Sequence, residues 1–80
     1  MIKQELVEEI NLLLHYNLAS SQAGLKIHHD ADPAIIAAAR RLFEKGLTTQ
    51  IDGGYLTDLG RNAAEHAHAC CEILTSGIIN

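Results

Sequence analysis

The chain is 80 residues long, 48% hydrophobic and 20% charged, which fits one small globular domain over residues 1–80 and leaves no room for a second. Six Lys and Arg against ten Asp and Glu give a formal net charge of −4 at pH 7, spread evenly, with three cations and five acids in each half. That sign speaks against holding nucleic acid by bulk charge and against a polybasic membrane anchor, and so small a core lends little rigidity to a large enzyme cleft.

Residues Gln4–Tyr16 place Leu6, Val7, Ile10, Leu13 and Leu14 at helical spacing, with Glu5, Glu8 and Glu9 near the start, where the helix dipole favours acids. A second, short helix is expected over Ser20–Ile27, with Ser20 or Ser21 as its cap, although Gly24 weakens it. The polar stretch His28–Asp32 then leads into Asp32-Pro33, the strongest helix-start signal in the chain. The helix it opens runs Pro33–Lys45 and stops at Gly46. A hairpin follows, with Leu47–Ile51 and Tyr55–Thr57 as strands and Asp52-Gly53-Gly54 as the turn. Thr57 caps a last helix from Asp58 to about Thr75, whose positions Leu59, Ala63, Ala67, Cys70 and Leu74 recur at helical spacing, with Gly60 as a weak point.

The longest wholly apolar run, Ala34–Ala39, is far shorter than the roughly 20 residues that span a bilayer. The acids of the N-terminal MIKQELVEEI occupy the place of a signal peptide's apolar region, so a cytoplasmic protein without membrane contact is expected. The two cysteines, Cys70 and Cys71, are neighbours and cannot form an unstrained bridge, which excludes a disulfide-stapled fold.

The stretch RLFEKGLTTQIDGGYLTDLG, Arg41–Gly60, resembles the part of bacterial winged helix-turn-helix regulators where a recognition helix ends, the chain crosses a wing, and a helix begins again. Leu42, Gly46, Leu47, Leu56, Thr57 and Gly60 stand at the positions that carry this likeness. Over nearly its full length the chain also resembles a family of small uncharacterised bacterial proteins with an HHDADP joint and a DGGYLT wing. The winged-helix resemblance implies a mainly α domain with a two-stranded β-hairpin wing and a long C-terminal helix. It further implies a small DNA-binding or transcription-associated regulator.

For such a regulator the candidate DNA-binding residues are Ser21, Gln22 and Lys26 on the second helix, Arg40, Arg41 and Lys45 on the third, and Thr49 and Tyr55 on the wing. The third helix opens with Ala34, Ile35, Ile36, Ala37, Ala38 and Ala39, none of which can hydrogen-bond a base edge. Contact with duplex DNA would therefore rest on phosphate and fall steeply with salt. The alternative is a homodimeric adaptor that binds a protein partner and makes no nucleic-acid contact. The resemblance implies a dimer contact on the last helix, where Leu59, Ala63, Ala67, Cys70, Leu74 and Ile78 form the candidate interface.

His66, His68, Cys70 and Cys71 are zinc-type ligands, but they point from one helix in two directions and cannot converge on one ion; His28, His29 and Asp30 have no spacing that joins them. The packing alternative makes both cysteines small buried apolar residues and leaves His68 in solvent beside Glu65 and Glu72. No metal, no cofactor and no enzymatic activity are expected, since no phosphate loop, nucleophile elbow or carboxylate pair is present.

Overall fold

The structure, a computed structural model, describes residues 1–20 and 23–76. Its elements in chain order are α1 (Gln4–Leu13), β1 (Leu25–Lys26), α2 (Pro33–Glu44), β2 (Thr48–Gln50), β3 (Gly53–Leu56) and α3 (Asp58–Ser76). The domain is mainly helical, with one three-stranded antiparallel sheet in the order β1-β3-β2. Leu12 and Leu13 of α1, Ala38, Ala39 and Leu42 of α2, and Ala64 of α3 form the buried core. Leu25, Ile27, Leu47 and Leu56 close it from the sheet side.

The helix-start signals act as the residue types dictate. The Asp32 carboxylate accepts the Ala34 N–H at 2.8 Å, and Pro33 opens α2. The Thr57 hydroxyl accepts the Gly60 N–H at 3.0 Å at the head of α3 and donates to the Gly46 carbonyl at 2.6 Å, tying the start of one helix to the end of another. Gly46 leaves α2 with φ +82°, and the Leu47 N–H then returns to the Leu42 carbonyl at 2.9 Å.

Three expectations need correction. Among the described residues no helix forms between Ser20 and Ile27; Leu25 and Lys26 form strand β1 instead, paired with Gly54 and Gly53. Two glycines on β3 let the strands approach closely, and a Cβ at Gly53 would collide with the Leu25 carbonyl oxygen. The sheet therefore gains a strand beyond the hairpin, and α1 and α2 are joined through β1 rather than through a further helix.

The hairpin turn falls at Ile51-Asp52, one residue earlier than expected, and Gly53 and Gly54 belong to β3 with φ +117° and +74°. Gln50 pairs with Gly53 but Thr48 with Leu56, so β3 holds one extra residue and bulges there. The Thr49 hydroxyl accepts the Tyr55 N–H at 2.9 Å across that bulge.

On α1 the buried face is Glu9, Leu12 and Leu13, continued by Tyr16 beyond the helix, while Leu6 is exposed. Glu9 shares that face with Leu12 and Leu13 and meets Arg41 of α2 and Lys45 at its C-cap.

Candidate interaction surfaces

Glu9 is the only acidic side chain buried among the described residues. Its carboxylate receives Arg41 Nε at 2.6 Å, from α2, and Lys45 Nζ at 2.5 Å, from that helix's C-cap. Burial alone would raise the Glu9 pKa, but the Lys45 ammonium and Arg41 guanidinium outweigh it and hold the acid below its ordinary value. Arg41 also reaches Glu8 at 3.5 Å and the Glu5 carbonyl at 3.1 Å, and its hydrogen bond to Glu9 raises its own pKa. The cluster clamps α1 across α2.

Lys26 is committed as well, with its ammonium 2.5 Å from Asp52 at the hairpin turn, which lowers the Asp52 pKa. Of the candidate DNA-contacting cations, Lys26, Arg41 and Lys45 thus each lie against a carboxylate of this same chain, and Arg40 alone is exposed without an ion pair among the described residues. Thr49 and Tyr55 are exposed on adjacent hairpin strands. Ser21 and Gln22 lie outside the described residues. The pairing of Arg41 and Lys45 with Glu9 was not legible beforehand, because nothing local says which face of α1 crosses α2.

Helix α3 presents the second surface. Gly60 and Ala64 are buried, Ala63 and Ala67 half-buried, and every residue from Glu72 to Ser76 is exposed. Leu59, Ile73 and Leu74 are 55%, 71% and 74% exposed. Gly60, Ala64, Ala67, Cys71 and Leu74 share one face at alternating spacings of four and three, so a seam that starts against the body runs on past it. Cys70 is exposed, not buried as its residue type suggests, while Cys71 is half-buried. Ile78 lies outside the described residues.

His68 is half-buried, with its Nε2 enclosed and unpartnered among the described residues, rather than solvated beside Glu65 and Glu72. His66 donates from Nδ1 to the Asn62 carbonyl at 2.8 Å. No group of three His, Cys, Asp or Glu side chains comes together as a metal site among the described residues. No helix among them is long and apolar enough to cross a membrane.

A family model described as a family of unknown function, DUF5669, matches residues 1–75. The chain belongs to DUF5669. That membership agrees with the likeness to an uncharacterised family drawn from the HHDADP and DGGYLT motifs, and it carries no statement of fold or activity. Comparison of this DUF5669 member with curated proteins and with solved structures found no match.

Proposed function

We propose that the protein is a homodimeric protein–protein interaction adaptor, paired through α3 and without a nucleic-acid contact. The observation that carries this is the run of α3 beyond the body, with Ile73 and Leu74 about three-quarters exposed at the end of a small-residue seam. Small, half-buried side chains at Ala63 and Ala67 let a second helix come close, and Leu59, Ile73 and Leu74 supply the larger groups that fill the contact. Burying Ile73 and Leu74 from both copies is worth about 1.5–3 kcal/mol per side chain. That gross gain of about 6–12 kcal/mol is of the same size as an association cost of about 4–15 kcal/mol, so pairing also needs the contacts of Leu59 and the seam and is micromolar at its tightest.

Sedimentation of the full chain at roughly 1–200 μM tests it. The expected mass at the upper end is twice 8.7 kDa, returning to 8.7 kDa in the Leu74→Arg variant. A wild-type mass of 8.7 kDa at every concentration refutes the pairing.

The competing proposal is a winged-helix DNA binder, in which the β2–β3 hairpin is the wing. One observation favours it: Arg40 is exposed and shares a shallow cavity with Ile51 and Asp52 at the hairpin turn. A random-sequence duplex titrated at low salt separates the two, since amide shifts at Arg40 and the hairpin belong to DNA contact alone.

A further inference from the structure

Strand β1 is an edge strand, since the sheet order is β1-β3-β2. Its outer side borders a groove of about 580 Å³ walled by α1 and by the approach to α2. The antiparallel ladder fixes which backbone groups face that side. The Ile27 N–H donates to the Asp52 carbonyl at 2.8 Å, so Ile27 belongs to a hydrogen-bonded pair. Hydrogen-bonded and non-hydrogen-bonded pairs alternate, which makes Lys26 and Gly53 a non-hydrogen-bonded pair. The Lys26 N–H and C=O therefore point away from β3, toward the open edge.

The groove touches four successive residues, Leu25 to His28. The groove therefore follows the segment lengthwise, on the side where α1 and the start of α2 stand. Its walls are apolar, from Leu12 on α1 and Ala34 and Ile35 on α2. Its rim is acidic. Asp30 has no ion pair among the described residues, Glu8 meets Arg41 at 3.5 Å and accepts from Gln4 Nε2 at 3.4 Å, and the Lys26 charge is taken up by Asp52.

We propose that β1 accepts an extended segment of a partner protein as a fourth strand. The segment's apolar side chains enter the groove between α1 and α2, and its intervening basic residues meet Glu8 and Asp30. Main-chain bonds to Lys26 supply the affinity and the groove supplies the selection. This rests on the adaptor proposal and names the chemistry of its partner.

The test is a titration of the 15N-labelled full chain with a capped hexapeptide alternating valine and lysine. Saturable amide shifts confined to Leu12, Leu25–His28, Ala34 and Ile35 are expected, and an analogue N-methylated along one edge should not bind. Lys26→Ala keeps the outward N–H and should weaken binding less than about threefold. Lys26→Pro removes that N–H, and proline is tolerated on a strand edge; it should weaken binding at least about tenfold, as should Ile35→Lys. No shift at millimolar peptide, shifts on α3 instead, or equal binding of the N-methylated analogue overturns the proposal. The N-methylated peptide acts on the wild-type chain, so it decides the matter even where Lys26→Pro does not fold. The same titration on Leu74→Arg reads the groove independently of pairing. Lost peptide binding with an intact dimer removes the groove alone, and peptide binding to a chain of monomer mass removes the α3 pairing alone.

Discussion

Gly60→Ala sets two opposed effects against each other at one position. Alanine favours a helix interior over glycine by about 1 kcal/mol, so propensity alone forecasts a more stable protein. The structure forecasts the reverse. A Cβ at Gly60 would overlap the Leu47 carbonyl oxygen and stand 2.8 Å from its carbonyl carbon and 3.2 Å from its Cα. These are backbone atoms, and they cannot swing aside as the end of a side chain can. The same carbonyl accepts the Thr57 N–H at 3.0 Å, so displacing it disturbs the turn that starts α3. Overpacking of this kind costs about 1–3 kcal/mol, and a weakened hydrogen bond about 1 kcal/mol more. Set against the propensity gain, the net loss is about 2 kcal/mol, or roughly 8–16 °C in Tm for a domain of this size. Thermal unfolding by circular dichroism measures it. Asn62→Ala, exposed on the same helix, reports the propensity gain without the clash and should raise Tm slightly. A Gly60→Ala protein as stable as wild type, or more so, refutes the close approach of Gly60 to Leu47.

Glu9→Gln should destabilise by about 1–2 kcal/mol in urea unfolding at pH 7, below the cost of breaking a fully buried pair because Arg41 and Lys45 can turn to water. The wild type should also lose stability in acid. Glu9 has a folded pKa below its ordinary 4.5, so the unfolded chain binds the proton more readily; the stabilisation is complete above pH 4.5 and vanishes as pH falls through the folded value. Urea midpoints at pH 7 and pH 3 should differ less in Glu9→Gln than in wild type, and equal differences would count against the cluster. Gly46→Ala should cost about 1 kcal/mol, because φ +82° strains an L side chain although its Cβ meets nothing within 4 Å. A calorimetric scan that finds a larger loss than for Gly60→Ala would reverse the roles assigned to the two glycines.

The features legible in the sequence are those that local chemistry decides. Asp32-Pro33 and Thr57 start helices because a cap needs only its own next few residues, and both act as expected. Gly46 ends α2 for the same reason. The stretch before Ile27 misleads because its strand exists only through distant glycines, and no property of Leu25 or Lys26 alone prefers a strand there. Gly60 looks like a helix weakness until the Leu47 carbonyl is placed against it. Of the candidate DNA-contacting cations, Lys26, Arg40 and Lys45 are exposed and Arg41 is half-buried, and the partners of Lys26, Arg41 and Lys45 are set by how α1 crosses α2 and by where the hairpin turn falls. The α3 stripe was readable because helical spacing is local, and Leu59 and Leu74 are exposed while Ala63 and Ala67 rest partly on the body.

The two pairings in the sheet differ in the chain they must close. Thr48 and Leu56 are roughly 8 residues apart and Leu25 and Gly54 roughly 30, which adds about 1 kcal/mol of closure entropy for a strand only two residues long. Folding therefore builds the helices and the hairpin from near neighbours and draws β1 in late. In the native ensemble the same strand is the first to lift away, so its paired amides should exchange with solvent ahead of those in α2.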